Sequence, residues 1–179
     1  LTIRKREQHD LGALLAIAEL VQATDGYPRR RSDGLRSFIE AEGALDAWVV
    51  EQTGKVAGQV VLRRPGAPET VRLASQATGR AQEGLGMVAR LFVAPDARRS
   101  GAGKALINAA TEGAHALGLW PVLDVARDNA GAVSLYDAVG WTRLGEVTID
   151  FRGAPSLQAL VYVGPAPLTP HEPRCRNRA

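Results

Sequence analysis

The sequence is poor in the residue types that carry redox, metal and membrane chemistry. Its single cysteine, Cys175, excludes an internal disulfide, and the expected compartment is a reducing cytoplasm. Cys175 lies in a proline-rich tail that would not hold a nucleophile rigidly. The three histidines, His9, His115 and His171, are scattered without metal-ligand spacing, so no metal is expected. Net charge is only +3, a weak reason to expect nucleic acid, and none is expected as a partner. No apolar run approaches the roughly 20 residues that cross a bilayer, so no membrane partner is expected. The opening Leu1-Thr-Ile-Arg-Lys-Arg6 lacks the apolar core of a signal peptide.

What remains is a globular composition, 45% hydrophobic and 23% charged in 179 residues. One domain over 1–163 is expected, followed by a tail over 164–179 that is rich in proline and carries Arg174, Arg176 and Arg178. Composition reads the tail as a linker; if something holds it, a homodimer is one candidate.

The pattern along the chain alternates strands and helices. Thr2–Arg6 reads as a strand, and Asp10 as the cap of a helix from Leu11 to about Gln22, with Leu11, Leu14, Leu15, Ala18 and Val21 at helical spacing. Asp25-Gly-Tyr-Pro28 is a turn, and Ser32 can cap a short helix through Phe38 and Ile39. Ala47–Glu51 and Val56–Leu62 flank Thr53-Gly-Lys55 as a hairpin. Residues 65–82 read as a long polar loop. Gly86–Val93 is the next strand, with Met87, Ala89, Leu91 and Val93 on one face and Val88, Arg90 and Phe92 on the other. A helix from about Gly101 to Leu117 would bury Ala102, Leu106, Ala109, Gly113 and Leu117. Trp120–Val125 reads as a strand and Asn129 caps a helix through Val139. Thr148–Phe151 and Leu157–Val163 bracket a hairpin at Gly153-Ala-Pro155.

The most informative stretch is Leu91-Phe-Val-Ala-Pro-Asp-Ala-Arg-Arg-Ser-Gly-Ala-Gly-Lys104. It runs from an apolar strand through a turn into a glycine-rich helix start. Bare N–H groups at such a start attract anions, and Arg98, Arg99 and Lys104 add positive charge. The pattern describes a diphosphate cradle. A Walker loop would need Gly at the position of Arg98 and Ser or Thr at that of Ala105. A dinucleotide fingerprint would need a third Gly where Leu106 stands. What remains is Arg98-x-x-Gly101-x-Gly103 after Leu91-x-Val93-x-Pro95. This resembles the acetyl-CoA loop of the GCN5-related N-acetyltransferases, the GNAT family. A second segment, Asn129-x-x-Ala132-x-x-Leu135-Tyr136-x-x-x-Gly140-Trp141, resembles another motif of that family, with Trp141 where Phe is common.

The resemblance covers most of residues 1–163 and implies the GNAT acyl-CoA N-acyltransferase fold. This is an α/β (α+β) arrangement with a mixed, mostly antiparallel central sheet flanked by helices. It implies acetyl-CoA as cosubstrate, with the backbone of Leu91, Phe92 and Val93 serving the acetyl and pantetheine arm. Arg98, Arg99, Ser100, Gly101, Ala102, Gly103 and Lys104 would serve the diphosphate, and Asn129 and Tyr136 would complete the cofactor site. The tyrosine at the place of Tyr136 acts in the family as the acid for the departing thiolate; otherwise Tyr136 is a core aromatic. Some relatives carry a base in the strand before the loop. That strand has no acid here, and Glu83 lies just ahead of it. Asp124 stands where peptide N-terminal acetyltransferases carry an acid, and a carboxylate in an apolar strand has a raised pKa suited to a base. Its structural alternative is a pair with Arg127 or a backbone N–H, and a water relay without a single base also stays open.

Relatives place the segment after the first helix on one wall of the acceptor groove. Asp25 could attract an amine there and Tyr27 pack on it, although a capping Asp and a Tyr-Pro turn read equally well. The run Arg29-Arg-Arg31 is a solvated turn, or a contact to phosphate or to an acidic substrate. The segment 65–86 would form the opposite wall. The expected function is N-acetyl transfer from acetyl-CoA to a small-molecule amine or a peptide or protein N-terminal amine. A non-catalytic acyl-CoA sensor is the alternative, and a basic nucleic-acid module is disfavoured by the scarcity of aromatics beside the arginines.

Overall fold

The computed structural model describes residues 1–29, 34–151 and 154–167. The first half contains β1 (Thr2–Lys5), α1 (Leu11–Asp25), α2 (Leu35–Glu40), β2 (Asp46–Gln52), β3 (Lys55–Arg63) and α3 (Pro68–Thr78). The second contains β4 (Leu85–Val93), α4 (Ala102–Ala116), β5 (Trp120–Ala126), α5 (Ala130–Ala138), β6 (Thr142–Phe151) and β7 (Ala154–Val163). The strands form one sheet in the order β1-β2-β3-β4-β5-β7-β6. Every neighbouring pair is antiparallel except β4 and β5.

Alternation along the strands sends residues to two faces. Trp48, Val60, Leu62, Leu123 and Tyr162 pack with α4 and α5 on one side. Val49 and Phe92 pack with α1 and α2 on the other, where Val147, Ile149 and Val161 also meet Leu73 of α3. Trp48 lies so close to α4 that a Cβ at Gly113 would come within 2.4 Å of two of its ring carbons.

Several sequence expectations change. The segment read as a loop over 65–82 contains α3. Pro68 opens it, where the missing N–H costs nothing, and Gly79 ends it in the left-handed conformation. The buried side of α4 is Ala102, Leu106, Ile107, Ala110, Thr111 and Ala114, whereas Leu117 lies beyond the helix end and is exposed. Asp10 does not cap α1 with its side chain. It accepts from the Glu7 N–H and from both terminal nitrogens of Arg4. A strand opens just after Gly140-Trp141, at Thr142, the last strand begins earlier than expected, at Ala154, and α2 opens from Gly34. Ser32, Gly153, His171 and Cys175 lie outside the described residues, as do Arg174, Arg176 and Arg178. Gly164 and Pro165 run back along the domain, their carbonyls meeting Trp120 Nε1 at 2.9 Å and His115 Nε2 at 3.0 Å.

The strand β4 does not keep the expected two-residue alternation. Gln59 faces Phe92 but Val61 faces Ala89, so Arg90 and Leu91 together oppose Val60. Arg90 takes a positive φ of 56° at this bulge. Val88 therefore joins the core under α4, while Phe92 joins the core under α1. Gly58 makes the tight join possible, since a Cβ there would sit 2.4 Å from the Phe92 carbonyl oxygen.

Candidate functional site

The parallel pairing of β4 and β5 is short. It runs through Leu85–Trp120, Gly86–Pro121 and Met87–Val122 and then stops. Beyond that point β4 stays on β3 and β5 stays on β7, so the two strands part toward their C-terminal ends. Ala94 N–H bonds to Ala57 O at 2.8 Å. Successive strand N–H groups point to opposite sides, so the Val93 N–H faces away from β3 into the gap and that of Phe92 faces β3. Of the donors expected for a ligand, Val93 is on the open side, Leu91 lies in the bulge, and Phe92 is turned away.

The gap leads to the loop before α4. Gly101 at φ 90° and Arg99 at φ 59° bend the chain into the helix. No side chain caps α4, so the first-turn N–H groups of Ala102, Gly103 and Lys104 are not consumed by the helix. The Ser100 hydroxyl is turned inward, donating to Ala97 O at 2.7 Å. Gly103 also serves packing, because a Cβ there would sit 3.1 Å from Leu135 of α5. Ala102 is buried, and Arg99 and Lys104 are exposed. The Arg98 guanidinium grips the Asp25 carboxylate.

That pair revises the expectation for Asp25, whose carboxylate holds the loop rather than standing open for an amine. Arg29 pairs with Asp128 in the turn after β5. The segment after α1 is thus tied to both lips of the gap, to the β4 side through Asp25–Arg98 and to the β5 side through Arg29–Asp128. Tyr27 sits between these ties, its ring edge-on to Phe38 at 5.8 Å.

On the β5 flank, Asp124 accepts a hydrogen bond from Thr70 Oγ1 of α3 at 3.0 Å. Burial pushes its carboxyl above the ordinary range, partly opposed by the Thr70 bond and by the nearby Arg63. Arg127 pairs with Glu146, at 2.7 Å, rather than with Asp124. Tyr136 packs between Trp141 and Tyr162, with ring centroids 6.2 and 5.7 Å away. Burial first, then the nearby Tyr27, Asp124 and Tyr162, hold its proton more tightly than in water. Tyr27, Asp124 and Tyr162, from three other segments, are thus close enough to Tyr136 to bear on its hydroxyl electrostatically. Asn129 caps α5, its Oδ1 accepting from Ala132 N–H at 3.2 Å, and this fixes the helix that carries Tyr136.

Glu83 is not part of this cluster. It lies in the short turn before β4, at the closed end where the strands still pair. At about 3.3 Å per strand residue, the stretch from Leu85 to Leu91 alone spans about 20 Å.

A seven-stranded sheet parted between its parallel strands, with an open helix start at the mouth, agrees with the family model that matches residues 14–141, the Acetyltransferase (GNAT) family. The chain belongs to the GNAT acetyltransferases. Its fold is that of solved GNAT structures. An N-acetyltransferase from Staphylococcus aureus Mu50 has a TM-score of 0.66 at 19% identity, covering 90% of this chain and 96% of that one. The ribosomal-protein-S18-alanine N-acetyltransferase from Escherichia coli gives 0.64 at 22%, covering 95% and 96%. The structure of yncA from Salmonella typhimurium with its cofactor acetyl-CoA gives 0.66 at 17%, covering 97% and 98%. No curated protein matches the chain by sequence. Among the described residues, no helix is long and apolar enough to cross a membrane.

The sequence motifs pointed to the loop, Tyr136 and Asp124. They did not reveal Thr70, the bulge at Arg90, or the partners that Asp25 and Arg29 take. The Pro68 and Gly79 punctuation around α3, with Leu73 and Ala74 at helical spacing from Thr70, could have signalled the helix that carries Thr70.

Proposed function

We propose that this GNAT protein transfers an acetyl group from acetyl-CoA to a primary amine by direct attack within a ternary complex. The carrying observation is the parting of β4 and β5 after Met87–Val122, with Asp124 on one flank and the uncapped start of α4 at the mouth. The residues present fit the cosubstrate. The Val93 N–H faces the gap that an extended pantetheine arm would enter, and the first turn of α4 offers N–H groups to a diphosphate. Arg99 and Lys104 supply exposed cations beside it. Acetyl-CoA would bring the activated acetyl group and a thiol leaving group.

The chain's own residues then divide the proton work. Asp124 takes a proton from the incoming ammonium, a task helped by a carboxyl whose proton affinity burial has raised. Tyr136 serves the departing sulfur. Because its proton is held more tightly than usual, it acts through a hydrogen bond to the sulfur more than through early proton release. Tyr27 and α3 form the two walls of the acceptor groove. The likeness to the Escherichia coli ribosomal-protein-S18-alanine N-acetyltransferase supports including peptide N termini with small amines in an acceptor screen.

The test is steady-state kinetics of Tyr136→Phe with the best acceptor found by thiol release. Turnover should fall about 10²- to 10⁴-fold while acetyl-CoA affinity changes little, the usual scale for loss of one acid–base group. Equal turnover in the variant removes Tyr136 from the chemistry. Acetyl-CoA binding without transfer to any amine would favour the sensor reading.

A further inference from the structure

We infer that Thr70, on the helix inserted between β3 and β4, is a positioning residue that sets which oxygen of Asp124 meets the acceptor amine. This rests on the reading of Asp124 as the base. Thr70 is fully buried, and its Oγ1 lies 3.0 Å from Asp124 Oδ2. The bond joins two elements far apart in sequence, α3 and the middle of β5. A carboxylate on a strand can turn about its Cα–Cβ and Cβ–Cγ bonds. A hydroxyl fixed in a packed helix restricts both rotations, committing Oδ2 and leaving Oδ1 for the proton.

The placement within α3 strengthens this effect. Thr70 is the third residue of the helix, after Pro68 and Glu69, so the positive end of α3 lies over Asp124. The hydroxyl is not consumed as a helix cap, because α3 has no side-chain cap. Two buried polar groups satisfy each other at a point where either alone would be costly. Arg63 from β3 and Tyr136 from α5 are the other ionisable groups coupled to this carboxyl, and Glu69 is the neighbouring acid on α3. The helix read from sequence as a loop thus holds the acid on which the reaction depends.

The experiment compares the pH dependence of kcat/KM in the wild type, Thr70→Val, Thr70→Ser and Asp124→Asn. The Thr70 bond favours the charged carboxylate, so its loss raises the pKa. The acidic limb of Thr70→Val should move about one unit to higher pH, with Thr70→Ser restoring it. Below the limb the variant should lose about tenfold in rate, and above it much less. Asp124→Asn should abolish the limb. If Asp124→Asn abolishes it but Thr70→Val leaves it in place, the positioning role is wrong while the base stands. If Thr70→Ser shifts it as far as Thr70→Val, packing rather than the hydroxyl is responsible and the inference falls. If Asp124→Asn leaves the profile unaltered, both the base and its positioning residue are wrong. Thr70→Ala replaces the Val variant if the latter does not fold. Carbon-13 titration of the Asp124 carboxyl in the folded variants reads the same shift without turnover.

Discussion

Arg98 holds Asp25 with both terminal guanidinium nitrogens, at 2.5 and 3.2 Å, and so ties the last residue of α1 to the loop before α4. An acid at a helix C-terminus is disfavoured by the helix dipole, and the guanidinium offsets that cost. In the proposed reading, the pair links the acceptor wall to the cosubstrate loop.

Asp25→Asn should therefore loosen the segment that carries Tyr27. Both partners are well exposed, so the pair is screened by salt. At low ionic strength the variant should lose about two- to fivefold in kcat/KM for the acceptor, matching an exposed ion pair. Raising salt should bring the wild type toward the variant. Parallel salt curves for the two proteins would show that the pair does not position the wall.

Asp10 should govern acid stability. It is buried, accepts from Arg4 at 2.7 and 2.8 Å and from Glu7 N–H at 2.7 Å, and its pKa is lowered chiefly by the Arg4 bonds. A depressed folded pKa gives stability that is present above the unfolded value of about 3.9 and lost as pH falls through the folded value. Asp10→Asn should cost about 1–3 kcal/mol near neutrality, with the gap from wild type closing below pH ~4. Denaturant melts across pH measure it. A constant gap down to pH ~2 would rule out the charge as its source.

Gly113→Ala should destabilise the fold although alanine is the better helix former. The propensity gain is at most about 1 kcal/mol. The added carbon would meet the buried Trp48 ring at 2.3 and 2.4 Å, and overpacking costs about 1–3 kcal/mol. A lowered midpoint in thermal melts is expected, with fluorescence reporting a disturbed tryptophan. A raised midpoint would mean that Trp48 moves aside freely.

Much of this architecture was legible because its signals are local. The hairpin at Thr53-Gly-Lys55, the strand ahead of the glycine loop and the Asn129 cap each follow from a few adjacent residues. Failures arose where a signal was weak or a distant partner decided the outcome. Helix α3 is amphipathic but polar in overall content, with Thr70 and Ala74 its buried residues, and its proline and glycine flanks look like a loop. The bulge at Arg90 breaks a two-residue period that a strand pattern assumes throughout. Asp25 looked like a groove acid because nothing near it in sequence indicates Arg98, 73 residues away. Asp124 drew attention because related enzymes carry an acid at its place, but nothing marked its partner Thr70, 54 residues earlier.

Calorimetric titration of the purified protein with acetyl-CoA, with ATP as the control ligand, tests the site itself. Acetyl-CoA should bind saturably and ATP should not bind with comparable strength, since ATP offers the α4 start a diphosphate but has no thioester arm for the gap between β4 and β5. No binding of acetyl-CoA, or equal binding of both, would contradict the assignment of the gap and the α4 start as an acetyl-CoA site.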